Sequence, residues 1–206
     1  MELTIAIAFA LGAYLLGSVP TAYLVVRIVR GADIRELGSR NVGAFNAYKQ
    51  VGPWGGVLVL LADTAKGVLA VVIPRLAGAD DWTLFATTSL IVAGHNWPVF
   101  LNFRGGKGAA SILGISLALM PVLTVIAVVP GLLAMRWLRN FVLGAALGMA
   151  ILNALLLVTG QDGNMIALCV FLTLIVTVTY LVSIRRHITM SVKARQWREL
   201  FMEMAA

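Results

Sequence analysis

The sequence predicts an all-α integral membrane protein with seven transmembrane helices, an N-terminus outside and a cytoplasmic C-terminus. Of its 206 residues, 60% are apolar and only 12% are charged, and the mean hydropathy is +0.93. Soluble domains carry about a quarter charged residues. The apolar residues gather in stretches near the roughly 20 residues that a helix needs to cross a bilayer. The net charge of +7 is therefore interpreted as basic cytoplasmic loops and not as a nucleic-acid-binding surface.

The first apolar stretch is expected to be a retained helix that enters from outside. An acidic residue precedes it and Arg27 and Arg30 follow it, the reverse of a signal peptide's charge order. The seven predicted spans are 3–26, 54–74, 83–101, 108–120, 121–138, 140–160 and 164–184. They form a single transmembrane domain, residues 1–184, and residues 185–206 are predicted to be a cytoplasmic, amphipathic basic tail.

Pro121 determines the predicted number of helices. A single crossing between Lys107 and the basic pair Arg136 and Arg139 would leave that pair outside, against the positive-inside rule. Two crossings that turn near Pro121 keep all of these residues inside. The first of the two would be short, about 12 residues or about 18 Å at 1.5 Å per residue.

Two polar loops lie at the predicted inner ends of helices. The loop GSRNVG, residues 38–43, offers exposed N–H groups, a hydroxyl and a guanidinium, which suits an anion nest, although an ordinary basic loop has the same composition. The segment FRGGKG, residues 103–108, combines flexible N–H donors, Lys107 and a helix N-terminus immediately after it. It is not a P-loop, because GxxxxGK[ST] is absent. Taken alone, the segment is better explained by a lysine that anchors a helix end, and a phosphate-binding role depends on the other motifs.

Asp63 and Lys66 lie three residues apart inside a predicted span, so they can pair on one helix face. Ionisable groups within a span indicate function by default, with a structural ion pair as the alternative. His95 and Asn96 end the third span on the same inner side. We expect no metal site, because no second histidine or carboxylate stands at ligand spacing. Neither His95 nor His187 has an aspartate five residues later, so the HxxxxD acyltransferase signature is absent.

Taken together, several motifs resemble those of the bacterial acyl-phosphate:glycerol-3-phosphate acyltransferase family, PlsY. They are GSVP at 17–20, GSRNVGA at 38–44 with Asn46, DTAKG at 63–67, and GHNWP at 94–98 leading into FRGGKG at 103–108. The resemblance implies seven transmembrane helices in the bacterial plasma (inner) membrane and an active site that faces the cytoplasm. It further implies transfer of an acyl group from acyl phosphate to the 1-hydroxyl of glycerol 3-phosphate, giving lysophosphatidate and phosphate. The implied partners are these two substrates and membrane lipid, with no cofactor.

The resemblance also implies the site residues. Ser39, Lys49 and Lys107 are the expected catalytic residues that contact the substrate phosphates. The expected substrate-binding residues are Gly38, Arg40, Asn41, Gly43, Asn46, Asp63, Lys66, His95, Asn96, Arg104, Gly105, Gly106, Gly108 and His187. Three positions depart from the family pattern: Phe45 replaces a threonine, Lys49 an arginine, and Met190 an asparagine. Lysine keeps the charge without the bidentate fork, and methionine lacks the amide's donors.

An acyl phosphate is already activated, so we expect direct attack by the glycerol hydroxyl, with charge neutralisation and positioning as the main catalytic tasks. The proton would pass to the substrate's own phosphate, with His95 as the alternative base. Two other functions stay open at this point. Met190 motivates a weakened paralogue that binds a phosphorylated lipid precursor, and the Asp63–Lys66 pair motivates a small organophosphate transporter.

Overall fold

The computed structural model describes residues 3–194, with side chains described as far as residue 182. Within that range all regular structure is helical, as the sequence predicts. The α-helices are α1 (Leu3–Ser18), α2 (Thr21–Arg30), α3 (Ala44–Leu76), α4 (Asp81–Asn96), α5 (Ala109–Leu119), α6 (Pro121–Leu138), α7 (Phe141–Val158) and α8 (Gly163–Ala194). Short 3₁₀ turns lie at Ile34–Glu36 and Val99–Leu101.

Six segments of the described chain are long and apolar enough to cross a membrane. They are Leu3–Arg30, Ala44–Leu76, Asp81–Leu101, Pro121–Leu138, Phe141–Val158 and Gly163–Val182. The helix predicted at 108–120 forms as α5, with only 11 residues. The described chain has two compact units, one ending at Leu119 and the other beginning at Met120.

The first span is not the continuous helix predicted over 3–26. Helix α1 ends at Ser18, and α2 begins at Thr21 after Val19 and Pro20. Proline has no N–H to donate and its ring obstructs the preceding turn, so it separates two helices within one apolar stretch. Helix α2 then ends at Gly31, whose φ of 70° allows its N–H to bond the Arg27 carbonyl.

Helix α3 begins ten residues before the predicted start of the second span. Its first part, from Ala44, is separated from the membrane-spanning part by Gly52, with φ 85° and ψ −177°, and by Pro53. The prediction began the helix after this break and assigned residues 44–51 to a loop. The extra turns matter because they carry Asn46 and Lys49 on a helix.

Small residues let helices of the first unit cross closely. A Cβ at Gly17 of α1 would overlap the Ile91 backbone of α4, and one at Gly94 of α4 would overlap the backbone of α1. Close backbone approach at small residues is typical of packing within membranes. Beneath the loop that joins α2 and α3 lies an apolar core of Ala22, Val26, Ile34, Val42, Ala47, Val59 and Leu101. These contacts hold the loop between α2 and α3 against α2, α3 and the segment that follows α4.

The second unit contains α6, α7 and α8. Helix α6 begins at Pro121, and Asn140 caps α7 by accepting a bond from the Leu143 N–H at 3.0 Å. Asn153 of α7 donates to the Thr173 hydroxyl of α8 at 2.9 Å. The predicted site residue His187 and the divergent Met190 fall on the backbone of α8, but their side chains lie outside the described residues, as does the tail from residue 195.

Candidate active site

Asn46 organises the loop between α2 and α3. Its side chain is 1% exposed, and its amide nitrogen donates to the Leu37 and Asn41 carbonyls, both at 3.0 Å. The Asn46 oxygen accepts from Gln50 at 3.3 Å. An amide at the start of α3 thus holds the preceding loop in one conformation, because a buried carbonyl without a donor would be costly.

The held loop presents polar groups outward. Gly38 and Arg40 both have left-handed backbones, with φ of 52° and 59°, and Ser39 between them is exposed. Lys49, one turn after Phe45 on α3, has its ammonium 4.7 Å from the centre of the Phe45 ring. This geometry leaves Ser39, Arg40 and Lys49 accessible to an anion.

Arg35 connects this loop to the segment after α4. It forms an ion pair with Asp33 at 2.6 Å and donates to the Leu101 carbonyl at 3.1 Å. The hydrogen bond from Arg35 holds the pKa of Asp33 below its ordinary value, and the Asp33 carboxylate correspondingly raises the pKa of Arg35. The pair is therefore charged at neutral pH, and Arg35 holds the α2–α3 loop to the segment after α4.

The GGKG segment folds back on the end of α4. The Gly105 and Gly106 N–H groups bond the Asn96 and His95 carbonyls at 3.1 and 3.0 Å. A Cβ at Gly106 would lie 2.6 Å from the Val42 carbonyl and closer still to His95 Nε2. At this position the loop between α2 and α3, the GGKG segment and His95 therefore meet, with room only for glycine.

Lys107 follows at once, at the entrance to α5. Its side chain is partly buried, and this loss of solvent lowers the pKa of its ammonium. Gly108 has φ 78°, and a Cβ there would lie 2.9 Å from the Asn96 amide oxygen. Arg104, before the two glycines, is exposed. Two cations thus flank a tightly packed glycine pair.

Asp63 and Lys66 form a buried ion pair at 2.7 Å, with 3% and 7% of their side chains exposed. The Lys66 ammonium also donates to the Thr21 hydroxyl at 2.7 Å and the Val19 carbonyl at 2.6 Å. An ammonium has three hydrogens, and these three acceptors use all of them. The pair therefore joins α3 to the break between α1 and α2.

A narrow cleft links this pair to the inner loops. It is lined by Gly17, Val19, Pro20, Thr21, Val42, Asp63, His95, Pro98 and Gly105. His95 Nδ1 lies 3.8 Å from Asp63 Oδ1, too far for a hydrogen bond, while Nε2 faces Gly106. Among the described residues, no cluster of three His, Cys, Asp or Glu side chains could hold a metal ion.

The structure brings most of the predicted residues into one region of the first unit. Asp63, His95 and Gly105 line the cleft, Gly106 packs against His95, and Asn46 fixes the loop that carries Gly38 to Gly43. Sequence reasoning missed Thr21 and the Val19 carbonyl as partners of Lys66, and Gln50 as a partner of Asn46. For the Lys66 contacts the sequence offers one signal, the proline of the GSVP motif, because a proline inside a span leaves carbonyls without their helical donors.

Comparison with known proteins identifies relatives over most of the chain. Residues 7–190 match the family model described as glycerol-3-phosphate acyltransferase. A glycerol-3-phosphate acyltransferase of Clostridioides difficile (strain 630) is 38% identical over 194 residues, covering 90% of this chain and 93% of the relative. That of Halalkalibacterium halodurans is 36% identical over 179 residues, covering 86% and 85%.

Solved structures agree with this assignment. The glycerol 3-phosphate form of PlsY (YgiH), an integral membrane glycerol 3-phosphate acyltransferase, superposes with a TM-score of 0.81 at 29% identity, covering 93% of this chain and 98% of that one. Its lysophosphatidic acid form gives 0.77 at 30% identity, covering 89% and 92%. The resemblance inferred from the motifs is confirmed. The chain belongs to the glycerol-3-phosphate acyltransferase family.

Proposed function

We propose that the chain transfers an acyl group from acyl phosphate to the 1-hydroxyl of glycerol 3-phosphate, giving lysophosphatidate and phosphate. The observation that carries this proposal is the junction at Gly106, where the GGKG segment packs against the loop at Val42. It brings Arg104 and Lys107, which flank the glycine pair, close to the loop that carries Ser39 and Arg40, and these cations suit anionic substrates. Support also comes from the two PlsY structures, which are the glycerol 3-phosphate and lysophosphatidic acid forms, a substrate and a product of this transfer.

In this proposal Lys107, Lys49 and Ser39 contact the substrate phosphates, with Arg104 and Arg40 beside them. Both substrates are anions, so bringing them together requires fixed positive charge. Partial burial makes Lys107 effective in this role, because charges interact more strongly away from bulk water. A bound phosphate would also stabilise its protonated form and offset the lowering of its pKa by burial.

The chemical step is proposed to be direct. The 1-hydroxyl oxygen attacks the acyl carbon, the bond from that carbon to the phosphate oxygen breaks, and phosphate leaves with the electron pair. The hydroxyl proton passes to a phosphate oxygen of the substrate. His95 is assigned a positioning role instead of that of a base, because its two nitrogens face Asp63 and Gly106. A Ser39-linked acyl group detected by mass spectrometry after a quench would contradict direct attack.

The Asp63–Lys66 pair is proposed to position the site and not to bind substrate. All three Lys66 hydrogens have acceptors, which are Val19 in the break between α1 and α2, Thr21 in α2 and Asp63 in α3. A transporter gate would need charges that change partners, whereas Asp63 and Lys66 are paired with each other inside the fold. The pair therefore no longer favours a transporter. The weakened-paralogue alternative depends on Met190, and the activity assay below separates it.

We further propose seven crossings, with the N-terminus outside and the active site and C-terminus in the cytoplasm of a bacterium. The 11 residues of α5 span about 16 Å, roughly half of a bilayer core, so α5 is the short crossing. Basic residues support this orientation, because they flank the inner loops around Arg35 and Lys107 and recur at Arg136 and Arg139.

The test is donor specificity. The protein, reconstituted in bilayers, would be given glycerol 3-phosphate with either acyl phosphate or acyl coenzyme A, and lysophosphatidate would be quantified by mass spectrometry. The proposal expects product from acyl phosphate alone. Product from acyl coenzyme A at an equal rate would contradict the proposed donor. Glycerol 3-phosphate binding without any product would establish the weakened paralogue.

A further inference from the structure

The segment Trp97–Phe103, here called the aromatic loop, exposes large apolar side chains just before the cations of the site. Trp97 and Val99 are 46% and 40% exposed, and Phe100 and Phe103 are each 59% exposed. Leu101, between them, is buried at 5% and belongs to the core below the inner loops. The loop therefore has an inner side that packs and an outer side that is apolar without a cover from the described residues.

The outward side chains stand on a backbone that is fixed from several sides. Tyr14 of α1 donates to the Trp97 carbonyl at 2.9 Å, and the Val99 N–H donates to the Ser18 hydroxyl at 3.4 Å. Arg35 donates to the Leu101 carbonyl at 3.1 Å. Since these bonds come from two other elements, the exposure of the aromatic rings is built into the fold and does not arise from a loose loop.

The backbone conformation at the end of the loop is also unusual. Asn102 and Phe103 have φ of 52° and 59°, both in the left-handed region. Asparagine tolerates this region, whereas a phenylalanine there is uncommon and strained. The Phe103 N–H bonds the Pro98 carbonyl at 3.0 Å, which closes the loop in this form. The strained Phe103 backbone carries an exposed side chain, and such strain is typical of positions where the orientation of the side chain serves a function.

Order along the chain indicates what covers these rings. The loop contains the end of the apolar segment Asp81–Leu101 and is followed by the exposed Arg104. A chain that leaves a bilayer passes from the hydrocarbon core through the headgroup interface into water, and the order of apolar groups, aromatic groups and a cation matches these layers. We propose that the aromatic loop is inserted into the membrane–water interface, with lipid covering Trp97, Phe100 and Phe103.

Insertion would fix the depth of the site. Lys107 lies only four residues beyond Phe103, across the rigid Gly105–Gly106 turn. An anchored loop therefore holds Lys107 at the level of lipid headgroups. A donor with an acyl chain carries its phosphate at that level. This consequence rests on the proposed function, whereas the insertion itself does not.

The test measures depth without relying on activity. Cys169 is the single cysteine, so a Cys169→Ala background allows one nitroxide label at a time. Labels would be placed with Phe100→Cys and Phe103→Cys in the full chain in lipid nanodiscs. Glu36→Cys, on an exposed inner turn, is the aqueous control, and Leu11→Cys, 58% exposed on α1, is the lipid control. Collision rates with oxygen and with a water-soluble nickel chelate give the depth of each label.

We expect the oxygen-to-nickel collision ratio at 100 and 103 to exceed that at Glu36 several-fold and to lie below that at Leu11, as an interfacial depth requires. Ratios at 100 and 103 equal to that at Glu36 would overturn the proposal. A ratio that rises only after a non-hydrolysable acyl phosphonate is added would also overturn it, because the rings would then cover a substrate chain instead of meeting the bilayer. Labels at two positions keep the test decisive if one variant fails to fold.

Discussion

Gly106→Ala tests the junction on which the proposed site depends. The added Cβ would lie 2.6 Å from the Val42 carbonyl oxygen, about 0.8 Å inside the 3.4 Å limit of ordinary contact, and it would overlap His95 Nε2 more severely. The Val42 carbonyl belongs to backbone and the imidazole is buried, so neither can turn away freely. The GGKG segment must therefore move by roughly 1 Å from the first inner loop.

A displacement of about 1 Å in positioned groups can lower the rate about 100-fold. Overpacking of this kind also costs about 1–3 kcal/mol of stability. We therefore expect kcat/KM to fall by about two orders of magnitude, with a modest decrease in Tm. Phosphate release at varied glycerol 3-phosphate gives the kinetics, and thermal unfolding in detergent gives the stability.

Gly12→Ala is the matched control, because among the described residues no atom lies within 4 Å of a Cβ built at Gly12. It should retain wild-type kcat/KM. Gly106→Ala combined with His95→Ala should recover part of the lost stability, since the imidazole is the nearer obstacle. A folded Gly106→Ala protein with wild-type kcat/KM would show that the two loops do not need this contact for activity.

Further predictions follow from the buried groups. Lys66→Met leaves the Asp63 charge unpaired and should cost about 3–5 kcal/mol in thermal unfolding, whereas adding Asp63→Leu should restore much of it. Asn46→Ala removes the donor to the Leu37 and Asn41 carbonyls and should cost about 1–3 kcal/mol and raise KM for glycerol 3-phosphate. Because burial lowers the pKa of Lys107, its ammonium loses its charge at a lower pH than that of an ordinary lysine. Glycerol 3-phosphate binding, measured by calorimetry, should therefore begin to weaken at that lower pH as the pH rises. Lys107→Arg keeps its charge and should move this loss of binding to higher pH.

Each of these has an outcome that would count against it. If the Lys66→Met and Asp63→Leu effects simply add, the two groups do not act as a pair. Asn153→Ala removes a similar amide in the second unit, so an equal rise in KM there would indicate general loss of stability. An unchanged pH profile in Lys107→Arg would assign the titration to another group.

The sequence predicted the helical membrane class and the family, because apolar length and motif spacing can be read directly from the order of residues. It did not predict the break at Val19 and Pro20, since hydropathy continues unchanged across it. Nor did it predict that Lys66 bonds the Val19 carbonyl, a contact between residues 47 apart in the chain. Such contacts arise from helix packing, which one-dimensional patterns do not specify.

The start of α3 is a second feature that the sequence did not predict. Gly52 and Pro53 correctly indicate a break, but sequence alone did not show that the chain is helical on both sides of it. Residues 44–51 look polar and loop-like, yet the Asn46 amide satisfies the preceding carbonyls and lets a helix begin at Ala44. The role of one buried side chain therefore decided the local structure that carries Lys49.

The central claim is that the cation of the GGKG segment holds substrate phosphate during acyl transfer. Its most direct test compares glycerol 3-phosphate-dependent phosphate release from acyl phosphate in the wild type, Lys107→Ala and Arg75→Ala, an exposed cation at the far end of α3. We expect Lys107→Ala to lower kcat/KM about 100-fold or more and Arg75→Ala to change it less than about twofold. Wild-type kcat/KM in a folded Lys107→Ala protein would contradict the account.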